Sequence, residues 1–286
     1  MQSLFIKLNY LSYNINQKKS QMKIKTNTII GAIAGDIIGS AYEFDKIKST
    51  SFKLFTPTSD FTDDTVLTVA TADCILHKKK FDKTLVEYGK KYPDRGYSDR
   101  FQNWIHTQSL IPYNSFGNGS AMRISPIGFA YNNLEKVIKV AKQAAEVTHD
   151  HPEGIKGAQA IATAVFLANI GKSKQDIRNF IKNTFVYDIE FTLDSIRDCY
   201  EHNETCQQTV PQAIVAFLES TDYESAIRLA ISLGGDGGTL ASMTGGIAAA
   251  YYKEIPSHRI DNAMSKLPEE FVDIIYKFEK KIVNGE

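Results

Sequence analysis

A chain of 286 residues with 43% hydrophobic and 23% charged residues has the balance of an ordinary globular protein and can bury a large core. Lys plus Arg and Asp plus Glu both number 33, so no charge surplus points to nucleic acid or to a membrane surface. Three cysteines (Cys74, Cys199 and Cys206) lack zinc-finger spacing, which predicts reduced thiols and a cytoplasmic setting. Residues 1–26 are polar, rich in Tyr, Asn and Lys, and hold no continuous apolar run. They read as a peripheral N-terminal extension rather than a signal peptide or a membrane span.

Positions 28–44 read TIIGAIAGDIIGSAYEF. Ile29, Ile30, Ile33, Ile37 and Ile38 alternate with Gly and Ala, which predicts a helix buried all round and packed at close backbone distance. Asp36 and Glu43 fall two turns apart on one face, and a buried carboxylate pair needs hydrogen bonds or a cation. Pro57, Ser59 and Asp60 mark residues 45–61 as a loop. A small apolar helix is predicted over 66–76, then a surface helix and a turn around 93–96 within 78–100. A Gly-rich loop at 115–120 precedes Ala121-Met122-Arg123. An amphipathic helix over 134–147 ends at Thr148-His149-Asp150-His151-Pro152, and an Ala-rich buried helix follows over 153–170. Shorter helices are predicted at 173–184, 192–200, 209–220 and 223–233, another small apolar helix at 240–252, and one or two amphipathic helices across 264–283. The best strand signal, at 184–187, is short. With no repeat and no linker, the chain reads as one all-α domain over 27–286.

Two clusters carry the chemistry. Thr62-Asp63-Asp64-Thr65 and Gly234-Gly235-Asp236-Gly237-Gly238-Thr239 each sit just before a helix. Oxygen side chains there can be simple caps, but consecutive aspartates exceed what a cap needs. If the fold joins Asp63, Asp64 and Asp236, their repulsion must be relieved by protonation or by a hard cation such as Mg²⁺, Mn²⁺ or Ca²⁺. Gly117-Asn118-Gly119-Ser120 is either a tight turn or an anion cradle. His149 and His151 have no further His or Cys at zinc-ligand spacing, which excludes zinc. The simplest reading has His149 ending a helix, favourably placed at its C-terminal dipole, and His151 structural. Trp104, Tyr251 and Tyr252 are read as packing residues.

With Gly35-Asp36, Tyr42-Glu43, Thr62-Asp63-Asp64-Thr65, Gly117 to Arg123, Thr148-His149 and Gly234-Gly235-Asp236 in this order, the chain resembles the ADP-ribosylglycohydrolase family. That family includes the dinitrogenase reductase-activating glycohydrolase. The resemblance runs from about residue 28 to about 252. It implies a compact all-α fold, two Mg²⁺ ions (Mn²⁺ in some members), and cleavage of ADP-ribose from a side chain or small acceptor. Carried over position by position, it implies Thr62, Asp63, Asp64, Asp236 and Thr239 as metal ligands. Glu43, Asp63 and Asp64 would be catalytic. Gly117, Asn118, Gly119, Ser120, Met122 and His149 would contact the ligand. The expected partner is an ADP-ribosylated protein, arginine-linked first, or a small ADP-ribose conjugate, met by a cytoplasmic monomer. One departure stands out: the family usually reads Asp-x-Asp-Thr where this chain has Asp236-Gly237-Gly238-Thr239. Loss of that acid weakens the metal pair, the second ion most. Three alternatives therefore stay open: a Mg²⁺-dependent hydrolase, a catalytically weak ADP-ribose binder, and a structural relative without a working site.

Overall fold

The computed structural model describes residues 28–43, 46–107 and 109–284. The predicted extension at 1–26 and the end of the first predicted helix at Phe44 lie outside them. Helix α1, Ile30–Gly39, has every residue buried, as its all-round apolar pattern predicts. Its partner is α13, Gly237–Tyr252, whose residues are buried up to Ala250. Gly31, Gly35 and Gly39 recur every four residues and form the contact stripe on α1. A Cβ built on Gly35 would stand 2.2 Å from the Ala241 carbonyl oxygen, and one on Gly39 2.3 Å from that of Gly237. The two backbones touch, which side chains on either face would forbid.

Around this pair, α2 (Asp63–His77), α8 (Pro152–Asn169) and α11 (Cys206–Glu219) complete the buried layer. Between α2 and α8 run α3 (Phe81–Lys91), α4 (Asp99–His106), α5 (Gly119–Met122), α6 (Ser125–Ala130) and α7 (Leu134–Glu146). Beyond α8 come α9 (Lys174–Phe185) and α10 (Leu193–Ile196), while α12 (Tyr223–Ile231) links α11 to α13. Helices α14 (Ser257–Met264) and α15 (Glu269–Asn284) close the chain. The described residues thus form a single compact all-α domain, with no strand among them and one isolated bridge, Gly117 to Thr205.

Several expectations change. Residues 184–187 form no strand: α9 runs through Phe185, and Val186 takes a left-handed cap conformation at φ 55°. The predicted helix over 192–200 shrinks to α10. Helices α4, α6 and α14 were not expected as separate elements. The stretch read as surface, 78–100, buries Leu85 and Tyr88, because α3 turns one face inward. Trp104 is packing, as predicted. Cys74, Cys199 and Cys206 are free thiols. Among the described residues no helix is long and apolar enough to cross a membrane.

Candidate active site

The N-termini of α2 and α13 meet at one end of α1. Thr62 caps α2, its hydroxyl accepting from the Asp64 backbone N–H at 3.3 Å, which puts Asp63 and Asp64 in the first turn. Beneath them lies Asp36, fully buried. Its carboxylate accepts from Thr62 N at 2.9 Å, Thr62 Oγ1 at 2.6 Å, Thr65 N at 3.2 Å and Thr65 Oγ1 at 2.5 Å. Burial lifts its pKa to about 6 against the pull of those bonds. Asp36 thus anchors the cluster from below. The Thr62 proton goes to the nearer Asp36 oxygen, which leaves that hydroxyl's lone pairs for other partners.

Asp236 caps α13, accepting from Thr239 N at 3.3 Å, and its other oxygen accepts from Asn118 Nδ2 at 2.9 Å. Thr239 Oγ1 donates to Asp64 Oδ2 at 3.2 Å, and Thr62 Oγ1 lies 3.3 Å from the same oxygen. The two clusters, about 170 residues apart in sequence, therefore converge on Asp64. Asp64 Oδ1 is buried with no hydrogen-bond partner, an arrangement costly enough to call for a cation or a proton. Burial first, then neighbouring acids, hold Asp63 and Asp64 well above the usual carboxylate range. Burial also raises Asp236, and burial with Asp236 and Asp36 pushes Glu43 up to about 7. These acids cannot all ionise together unaided.

The hydroxyl and carboxylate donors suit a hard cation. They do not form a closed carboxylate cage: among the described residues no group of three or more His, Cys, Asp or Glu is gathered to hold a metal. Gly238 lies at the gap. A Cβ there would sit 3.5 Å from Asp36 Oδ1 and 4.0 Å from Ser40 N, ordinary contacts, so the position is open to a side chain.

A cavity of about 340 Å³ rises from this floor, bounded by Glu43, Thr62, Asp63, Asp64, Asp236 and Thr239. Helix α1 stops at Gly39 and a 3₁₀ turn, Ser40–Tyr42, shifts the register, leaving Asp36 under the site and Glu43 in its wall. Gly117, Asn118, Gly119, Met122 and His149 line the opposite side. Ser120 is a correction. It is not part of the lining, because the turn of α5 points its hydroxyl at the Gly154 carbonyl, 2.8 Å away.

His149 is buried, and burial with Arg123 and Arg100 nearby holds its pKa well below the usual value. It is therefore neutral, which removes the helix-dipole role. The Thr148 hydroxyl accepts from Arg123 Nη2 at 2.8 Å and lies 2.7 Å from His149 Nδ1. We assign its proton to that contact, which puts the ring proton on Nε2. Side chains at Gly117 and Gly119 would bring a Cβ within 3.6 and 3.3 Å of that nitrogen, so the glycines let the loop lie against the ring. His151 is structural as expected: its Nδ1 accepts from Glu153 N at 3.1 Å and caps α8.

Among the lining residues that sequence reasoning did not single out are Arg100, Tyr113, Phe116, His202 and Glu204. The last two arrive through pairing of 116–118 with 204–206, where Asn118 N donates to Glu204 O at 2.7 Å and Cys206 N to Phe116 O at 3.0 Å. His202 Nε2 lies 3.2 Å from Glu204 Oε1. Arg100 sits over the Tyr113 ring at 5.1 Å, and the Tyr113 ring centre is 6.0 Å from that of His149. Phe116, 42% exposed beside the glycines, is the one whose position in sequence could have flagged it.

Comparison with known proteins bears on the family and the fold. Human ADP-ribosylhydrolase ARH3 is 29% identical over an alignment covering 78% of this chain and 84% of its own length. ADP-ribosylarginine hydrolase Tri1 of Pseudomonas putida (strain GB-1) is 24% identical, covering 86% of this chain and 72% of its own. A solved ADP-ribosylglycohydrolase-related protein complex superposes with a TM-score of 0.66 at 23% identity, across 91% of this chain and 99% of its own; it shows the fold. The family model for ADP-ribosylglycohydrolase matches residues 23–282, and the chain belongs to that family.

Proposed function

We propose that the protein is a Mg²⁺-dependent hydrolase that cleaves the glycosidic bond between ADP-ribose and a protein side chain, arginine first, or a small acceptor. The observation that carries this reading is the convergence of two hydroxyl-and-acid helix starts on Asp64, one of whose oxygens is buried and unpartnered, at the floor of a cavity walled by a glycine loop. Thr62, Asp63, Asp64, Asp236 and Thr239 would hold the metal, Mn²⁺ being an alternative to Mg²⁺. Divalent cations bound there supply charge neutralisation and orientation of the ribose hydroxyls.

The remaining chemistry belongs to the chain. Glycosidic cleavage builds positive charge on the ribose, which the acid floor stabilises. Glu43, with a pKa of about 7, is poised to exchange a proton near neutrality, and Asp63 or Asp64 is the alternative. Backbone groups of Gly117, Asn118 and Gly119 face the diphosphate, and Ser120 contributes through its backbone alone. Met122 closes the pocket beside Thr239, and neutral His149 offers its Nε2–H to the ligand. Phe116 and Tyr113 present ring faces to a purine. The protein would act as a cytoplasmic monomer; the names of the human and Pseudomonas relatives support the ligand class.

Gly238 favours a second reading, an ADP-ribose binder with weak or no turnover. Mass spectrometry of ADP-ribose release from arginine, serine and small-molecule conjugates, with and without Mg²⁺, decides between them. Mg²⁺-dependent release is the expected result. Calorimetric binding of ADP-ribose without release would favour the second reading, and neither release nor binding would remove both.

A further inference from the structure

Lys48 belongs to no motif, yet its ammonium is fully satisfied by three backbone carbonyls. It donates to Arg197 O at 2.7 Å, Tyr200 O at 2.5 Å and Leu233 O at 2.6 Å. Three N–H donors meet three acceptors, so the group is used to capacity. The carbonyls come from two separate places: just past α10, and just past α12, where helix ends leave carbonyls unpaired and favour a cation.

Two of the tethered segments lead directly into the cavity wall: Tyr200 precedes His202 by two positions, and Leu233 precedes Asp236 by three. The surroundings are shaped for the lysine. Gly234 has φ +63°, and a Cβ there would come within 3.0 Å of Lys48 Cε and 3.2 Å of the Ile47 carbonyl oxygen. The Tyr200 ring lies over Gly235, where an added Cβ would be 2.4 Å from Cε1, and its hydroxyl donates to Gln208 O at 2.7 Å. The 201–206 segment held at one end by Lys48 is held at the other by pairing with Phe116 and Asn118.

We propose that Lys48 is a positioning residue, its ammonium pinning in one arrangement the segments that carry His202 and Asp236 into the cavity. Removing the ammonium leaves three carbonyls facing each other with no shared donor, and the segments separate. This inference rests on the hydrolase reading of the same site, so its test includes an arm independent of turnover. A methionine keeps the stem without the charge, an alanine opens space for an added amine, and an arginine keeps the charge in a different shape.

The experiment compares the parent chain with Lys48→Met, Lys48→Ala and Lys48→Arg, with Lys46→Met as a nearby charge control. In Lys48→Met and Lys48→Ala, kcat falls by about tenfold or more while KM changes by less than about threefold, because His202 and Asp236 lose alignment but the glycine loop stays. Methylammonium at millimolar concentration restores turnover in Lys48→Ala, whereas tetramethylammonium, with no N–H, does not. Lys46→Met behaves as the parent. Hydrogen exchange on the same variants, with no substrate present, shows faster exchange in both 198–206 and 233–236 on removal of the amine. Parent-like kcat in Lys48→Ala, or a loss that methylammonium leaves untouched, overturns the proposal. A parent chain that cleaves no conjugate defeats the hydrolase reading alone. Exchange then decides the clamp: joint acceleration of both segments upholds it, and acceleration of one or neither overturns it.

Discussion

Gly238→Asp tests the floor of the site most directly. The Cβ has room, 3.5 Å from Asp36 Oδ1 and 4.0 Å from Ser40 N, so the substitution costs little through sterics. It costs through charge. A carboxylate about 5 Å from Asp36 at an effective dielectric of about 20 is repelled by about 3 kcal/mol, part of which protonation relieves. Without divalent cations the variant therefore melts below the parent. Added Mg²⁺ narrows the gap. If one restored anionic ligand is worth about 100-fold in affinity, a site filled at about 10 mM in the parent fills at about 0.1 mM in the variant. At about 1 mM Mg²⁺ that difference stabilises the variant by about 1.4 kcal/mol against less than about 0.1 for the parent. For a chain of this size the gain is a rise of about 2–3 °C. Thermal melts across a Mg²⁺ titration, run beside ADP-ribose release, give both readouts. An apo variant as stable as the parent, together with an unchanged Mg²⁺ response, would refute the placement of Gly238 at the metal floor.

Two other substitutions probe the frame and the protons. Gly35→Ala drives a Cβ to 2.2 Å from the Ala241 carbonyl, so α1 and α13 must separate. Chemical denaturation should show a loss of about 3 kcal/mol, and a loss below about 1 kcal/mol would contradict the backbone contact. Glu43→Gln addresses pH. Glu43 has a folded pKa of about 7, above its ordinary 4.5, so the folded state holds an extra proton between those values. Its contribution is present in full below the unfolded pKa and disappears as pH rises through the folded one. Metal-free melts from pH 5 to 7.5 should thus decline less steeply in the variant than in the parent, and parallel curves would refute the shift.

What the sequence revealed depended on distance along the chain. The buried α1, the capped starts of α2 and α13, and the glycine loop are local patterns, and each one lies where its residues predict. Asp36 could be seen as a buried carboxylate in need of hydrogen bonds, but not that it would hold Thr62 and Thr65 from beneath, since that needs the close meeting of α1 and α2. Lys48, His202 and Glu204 carried no local signal at all. His202 and Glu204 reach the cavity through backbone pairing, and Lys48 captures carbonyls beside it, in each case between segments far apart in sequence. Ser120 shows the opposite failure. It sits in the loop that lines the cavity, but a single helical turn sends its side chain away from that space.

The glycine contact between α1 and α13 also bears on how the chain is made. Helix α1 emerges from the ribosome early, with all ten of its residues destined for burial. Its main partner begins at Gly237, so about 200 residues must be synthesised before that surface is covered. During that interval the glycine face of an apolar helix lacks its native partner, although α2 can already dock at Asp36, and a nascent chain in this state is a natural client for chaperones. The same delay means that no N-terminal fragment ending before α13 can assemble the floor around Asp64, however well its earlier helices fold.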